Sequence, residues 1–126
     1  MQTNEIRALF EKEFGEIAKK FVIKEHNIKE ALDSKDPDVT KPGVYVYWNP
    51  HLGVVRVGVS FVNSRKRALA HIFANTGGIM EGLANDNQTR ILLYNIRKKE
   101  DSHWIIALEK YFEKRLKPCI PPGRDG

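Results

Sequence analysis

The sequence contains very little cysteine and no long apolar run. Its single cysteine, Cys119, cannot close an intramolecular disulfide, and it provides neither a Cys-x-x-Cys motif nor a zinc-binding set. The apolar runs are all shorter than the roughly 20 residues that a membrane-spanning helix needs, and the first residues form no basic and apolar secretory segment. These absences argue against disulfide scaffolds, zinc modules and membrane proteins, and they predict a cytoplasmic protein.

The chain has little excess charge, a net +5, and this charge is unevenly distributed. The 126 residues are 41% hydrophobic and 29% charged, which is typical of a globular protein with one core. Residues 1–40 carry seven Lys or Arg and nine Asp or Glu, a net charge of −2, whereas residues 41–126 carry fourteen and seven, a net charge of +7. A basic part of this size suits a polyanion if its charges cluster, whereas scattered charges would only keep the protein soluble.

Residues 1–40 are predicted to form a helical extension. Apolar residues recur at spacings of three and four over residues 3–22, with charged residues between them, which indicates an amphipathic helix. A second, short helix is expected at about residues 26–32, and the polar run around Pro37 favours a connector. The long helix either covers the protein's own core, the commoner role of such helices, or binds a protein partner or a second copy of the chain.

Residues 41–126 are predicted to begin with a β-hairpin. Two β-branched and aromatic runs, residues 44–48 and 54–60, lie on either side of a turn. Alternation along the second strand assigns three residues to each face of the sheet: Arg56, Gly58 and Ser60 to one, and Val55, Val57 and Val59 to the other. The hairpin therefore has one apolar face and one face that can carry chemistry.

The remaining pattern completes a unit of the order ββαβα. A helix is expected over residues 65–74, a loop with at most a brief helical turn over residues 76–88, a third strand over residues 91–96 and a helix over residues 102–117. Together these elements predict an α+β fold, in which a small three-stranded antiparallel sheet is flanked by helices and is preceded by the helical extension.

Several polar residues of this unit follow one another in a recognisable order: Gly43-Val44-Tyr45, then Arg56-Val57-Gly58, Ser60, Arg67 and His71, and finally Glu109 ahead of Pro118. This order resembles the GIY-YIG nuclease domain family over roughly residues 42–120. The family carries a Gly-Ile-Tyr strand, a Tyr-Ile-Gly strand, an arginine with a histidine four residues later, and a metal-binding glutamate on a later helix. The resemblance implies a DNA-cleaving domain at residues 41–126.

The resemblance also implies a role for each matched residue. Glu109 would bind one Mg²⁺ or Mn²⁺ ion, because hard divalent cations take carboxylate oxygen together with water and substrate phosphate. Arg67 would neutralise the scissile phosphate, and His71 would act as the general base on the same helix face. Tyr45 would orient the attacking water or act as the base itself. The residues expected to contact phosphate are Arg56, Ser60, Arg65 and Lys66, with two alternatives: Arg56 could instead hold a carboxylate, and Ser60 could instead cap the turn.

The chain departs from the family pattern at two places. Arg56 stands where the family has tyrosine, and arginine stays protonated and cannot be a general base. Ile120-Pro121-Pro122 stands where the family usually places an asparagine. Two functions are therefore open: a metal-dependent endonuclease that acts on branched DNA or without sequence preference, and a catalytically degenerate module that binds nucleic acid or a protein. DNA and RNA are not distinguished by these residues.

Overall fold

The computed structural model describes residues 1–74 and 78–121, which form a β-sheet with helices on both faces. The helices are α1 (Thr3–Phe14), α2 (Ile28–Asp33), α3 (Ser64–Ala74), α4 (Gly78–Ala84) and α5 (His103–Leu116). The strands are β1 (Phe21–Asn27), β2 (Gly43–Asn49), β3 (Gly53–Ser60) and β4 (Arg90–Ile96). Short 3₁₀ segments cover Gly15–Lys20, Pro37–Thr40 and Lys99–Asp101. None of the helices in residues 1–74 and 78–121 has the length and apolar character needed to cross a membrane.

The sheet is antiparallel throughout, with the strand order β1-β4-β2-β3. Strands β4 and β2 form its centre, where Val44 lies opposite Tyr94. The α+β class and the antiparallel sheet are thereby confirmed, but the predicted number of three strands is wrong, because the sheet has four. The additional strand comes from the part of the chain that was expected to be entirely helical.

The expected long helix of residues 3–22 is wrong beyond α1, which ends at Phe14. A 3₁₀ segment follows, and strand β1 then pairs along its whole length with β4, from Phe21 opposite Ile96 to Asn27 opposite Arg90. Apolar residues at spacings of three and four continue past Phe14, so periodicity alone extends the helix. Pairing with a strand about 70 residues away overrides that local pattern.

A second difference concerns the segment expected as a loop over residues 76–88. Gly78–Ala84 form helix α4, which buries Met80 and Leu83 in the core. The beginning of the expected loop, at residues 76–77, lies outside the described residues. Burial of two apolar side chains thus stabilises a short helix that its glycines disfavour.

One face of the sheet is covered by α1 and α5 through an apolar cluster. Phe10 at its centre is fully buried, and its ring centroid lies 5.7 Å from that of Phe14, 5.4 Å from Phe21 and 5.1 Å from Tyr94. Aromatic pairs at such separations add to the free energy gained from burial. Helix α1 therefore buries its apolar side in the protein's own core.

The opposite face of the sheet is covered by α2, α3 and α4 through a second cluster. A β-bulge in β3 changes which valines belong to this cluster. Tyr47 lies opposite Arg56 but Trp48 lies opposite Val54, so Val55 is an extra residue in β3. Val55 consequently packs in the second cluster, whereas Val57 belongs to the first. The predicted common face for Val55, Val57 and Val59 is therefore wrong at Val55.

Candidate active site

Tyr45 lies on the face of the sheet that carries the second cluster, and its ring lies across β3. Tyr45 is directly opposite Gly58 in the register of β2 and β3, and it is only 3% exposed. A Cβ atom added to Gly58 would stand 2.5 Å from Tyr45 Oη, closer than real Cβ atoms come to other atoms. A glycine at position 58 is thus required for the ring to occupy this position.

Gly43 allows a similar close approach at the other edge of β2. A Cβ atom added there would stand 2.5 Å from the backbone oxygen of Tyr94, and it would also meet the side chain of Asn95. Asn95 is fully buried and donates from Nδ2 to the backbone oxygen of Asp38 at 2.9 Å. The glycines of the two strand motifs therefore serve packing directly: Gly43 allows the close approach of β4, and Gly58 that of the Tyr45 ring.

Three charged side chains from three different elements act on the Tyr45 hydroxyl. Burial is the largest influence and raises the pKa of Tyr45; Arg67 opposes it through its charge and a side-chain hydrogen bond. Arg56 also lowers the pKa, and Glu109 raises it. Because the net shift is upward, the phenol keeps its proton at neutral pH. Tyr45 in this state can donate a hydrogen bond, but it is a poor general base.

His71 lies one helical turn after Arg67 on α3, and it is partly buried. Burial lowers the pKa of His71, and the positive charges of Arg56 and Arg67 lower it further. The imidazole is therefore mostly neutral near pH 7, which is the form that accepts a proton. The same two arginines act on both Tyr45 and His71, so these four side chains form one electrostatic group.

Glu109 is a buried carboxylate on α5, and the other buried residues of this helix are apolar. It is 2% exposed and follows Leu108 on α5. Within residues 1–74 and 78–121, no group of three or more His, Cys, Asp or Glu could hold a metal ion. A divalent cation would therefore depend on Glu109, water and ligand oxygens. This donor set suits Mg²⁺ or Mn²⁺ bound together with a phosphate rather than a preformed metal cage.

Ser60 and Arg65, two of the residues expected to contact phosphate, make contacts within the fold. Ser60 Oγ accepts hydrogen bonds from the backbone N–H groups of Val62 at 3.2 Å and Asn63 at 3.0 Å. The Arg65 guanidinium donates to the backbone oxygen of Ser34, and so connects α3 to the end of α2. Ser60 thus caps a turn, and Arg65 stabilises the packing of two helices.

Lys66 and Arg67 are exposed and line a shallow pocket of about 250 Å³. The other residues of this pocket are Ser60, Val62, Asn63 and Ala70. The pocket lies where the loop between β3 and α3 meets the first turns of α3. Arg67 thus belongs both to this pocket and to the electrostatic group of Tyr45, Arg56, Arg67 and His71.

One feature of the candidate site, the lack of acidic residues in the segment that carries it, is not revealed by matching motifs. Residues 39–80 contain no Asp or Glu, but they carry five Lys or Arg: Lys41, Arg56, Arg65, Lys66 and Arg67. This segment includes β2, β3 and α3, the elements that hold most of the candidate residues. A scan for acid-free segments would have shown that this part of the chain carries net positive charge because it lacks acidic residues.

The chain matches no protein-family model, no curated protein and no solved structure. The candidate residues Tyr45, Arg56, Arg67 and Glu109 lie on β2, β3, α3 and α5, respectively.

Proposed function

We propose that this protein is a divalent-metal-dependent endonuclease of the GIY-YIG type, which hydrolyses phosphodiester bonds in DNA. One observation carries the proposal: Arg56, Arg67 and Glu109 all act electrostatically on the Tyr45 hydroxyl, although they come from β3, α3 and α5. Two arginines beside a carboxylate and a tyrosine supply the charges that phosphodiester hydrolysis requires.

Five side chains would share the proposed chemistry: Tyr45, Arg56, Arg67, His71 and Glu109. Arg67 and Arg56 would bind the phosphate and stabilise the negative charge that develops on it. Neutral His71 would accept the proton of the attacking water, and protonated Tyr45 would orient that water by a hydrogen bond. A Mg²⁺ or Mn²⁺ ion bound at Glu109 would supply Lewis-acid stabilisation of the phosphate oxygens.

Arg56 also supports a second candidate, a module of this type that binds DNA without cleaving it. It lies opposite Tyr47, whose hydroxyl is buried and donates to the backbone oxygen of Ala68 at 2.6 Å. Neither residue can serve as the general base, because Arg56 stays protonated and burial holds the pKa of Tyr47 well above its ordinary value. A protein of this kind would keep its affinity for phosphate and lack activity.

Cleavage of supercoiled plasmid, single-stranded DNA and branched DNA with Mg²⁺ or Mn²⁺ tests the proposal. The wild type is expected to nick DNA, and Glu109→Gln, which keeps the side-chain shape, is expected to lose that activity. Glu11→Gln is the matched control, because Glu11 is exposed on α1. Wild-type DNA binding that weakens as salt rises, without any cleavage, would favour the second candidate.

Arg67→Ala provides an independent test of the same site. We expect the cleavage rate to fall by about 10²-fold or more, the scale of a lost transition-state donor. Arg7→Ala is the control, because Arg7 is an exposed arginine of α1. An unchanged rate in a folded Arg67→Ala protein would remove Arg67 from the site.

A further inference from the structure

The loop between β3 and α3 exposes two consecutive apolar side chains. Val62 is 80% exposed, the highest value among the large hydrophobic residues of the described ranges, and Phe61 is 51% exposed. Single exposed apolar residues are ordinary, but an adjacent pair at a loop tip beside a candidate site is a candidate contact surface.

Hydrogen bonds on both sides of the pair fix this loop. Ser60 Oγ accepts from the N–H groups of Val62 and Asn63, and Asn63 Oδ1 accepts from the N–H of Lys66 at 3.0 Å. The N–H of the buried Ser64 donates to the backbone oxygen of Lys41 at 3.0 Å. The pair is consequently presented by an ordered turn, and little conformational entropy is lost when it binds a ligand.

The surroundings of the pair select a ligand with negative charge and apolar faces. Val62 lines the same pocket as Lys66 and Arg67, and Phe61 precedes it in the chain. Two cations, Lys66 and Arg67, line this pocket and no acidic residue occurs in the segment 39–80, so an acidic protein surface or nucleic acid would be attracted there. Nucleic acid also offers a base within reach of each phosphate, and apolar wedges commonly enter between bases.

We propose that Phe61 and Val62 form a wedge that contacts an unpaired base of DNA next to the phosphate held by Arg67. This inference rests on the proposed function and specifies its substrate class: DNA in which a base is already unpaired or unstacked, as in bulges, branches and single strands. Such DNA is preferred because the cost of opening a base pair has already been met.

Equilibrium binding to two fluorescein-labelled duplexes tests the wedge, with Ca²⁺ in place of Mg²⁺ so that binding is measured apart from cleavage. One duplex is fully paired, and the other carries a single bulged base. The wild type is expected to bind the bulged duplex about tenfold more tightly, the scale of one stacked base. Phe61→Ser and Val62→Ser should lose most of this preference, whereas their melting temperatures should match that of the wild type.

Phe73→Ser is the matched control, because Phe73 is 49% exposed at the opposite end of α3 and should leave the preference unchanged. Equal wild-type affinity for both duplexes, or an unchanged preference in Phe61→Ser, overturns the wedge. Plasmid nicking assayed in parallel separates the two proposals. Nicking without a preference for the bulge contradicts the wedge alone, and a Phe61-dependent preference without nicking contradicts the nuclease alone.

Discussion

The two faces of the sheet differ in composition. One is packed mainly for stability, and the other also carries charged side chains of the candidate site. The face under α1 and α5 is sealed by aromatic and aliphatic side chains around Phe10. The face under α2, α3 and α4 also has a core, which contains the hydroxyl groups of Tyr45 and Tyr47 and ends at the charged Arg56 and Arg67 and the mostly neutral His71. The first face also holds a buried hydroxyl group, that of Tyr94, so the positive charge of Arg56 and Arg67 is what distinguishes the second face.

Phe10→Ala tests the stabilising face and has the largest expected effect. Phe10 is fully buried and contacts three other rings, so its truncation should lower the free energy of unfolding by about 3–5 kcal/mol. Urea denaturation followed by circular dichroism measures the change. Phe73→Ala, at a half-exposed phenylalanine, should cost no more than about half as much, because only half of the apolar area is lost. Similar losses in the two variants would contradict the assignment of the core.

Gly58→Ala tests the packing of the chemical face, with a smaller expected effect. The added methyl group meets the ring of Tyr45, and overpacking of this kind costs about 1–3 kcal/mol of unfolding free energy. Gly82→Ala is the control: nothing lies within 4 Å of its added Cβ, and alanine in helix α4 should stabilise the protein by about 0.5–1 kcal/mol. Tyr45→Ala should remove most of the Gly58→Ala penalty, and additive effects in the double variant would argue against this contact.

The pKa of His71 tests the electrostatics of the same face. Its expected shift is the smallest of the three effects predicted for the two faces. NMR titration should give His71 a pKa below its ordinary value of 6.5, and Arg67→Gln should raise it, whereas Arg7→Gln should not. Because the folded protein binds this proton less readily than the unfolded chain, the contribution of His71 to stability is complete above pH 6.5 and declines as the pH falls below it. A midpoint at or above 6.5 would contradict the grouping of His71 with the two arginines.

Local patterns predicted several parts of the molecule well. The hairpin of β2 and β3, strand β4 and helices α3 and α5 follow from short runs of residues whose periodicity matches one structure. Alternation also places Arg56 and Gly58 on one face of β3 and Tyr45 and Tyr47 on one face of β2, and the register, with Tyr45 opposite Gly58 and Tyr47 opposite Arg56, joins the two sets. In both cases the information lies within about ten residues of chain.

Other features could not be read from local patterns. Strand β1 depends on its pairing with β4, and the separation of Val55 from Val57 depends on a bulge in the register. The roles of Ser60 and Arg65 depend on which backbone groups lie within reach after folding. No local periodicity reports such contacts.

The α+β class, the hairpin, the acid-free segment 39–80 and the order of the candidate residues follow from the sequence alone. The tertiary structure decided that the sheet has four strands and that Tyr45 packs onto Gly58. It also placed Glu109 where its charge acts on Tyr45, across a separation of 64 residues. The physical reason is that hydrophobic periodicity and turn chemistry act between near neighbours, whereas strand pairing and electrostatic coupling depend on distances that only the folded chain defines.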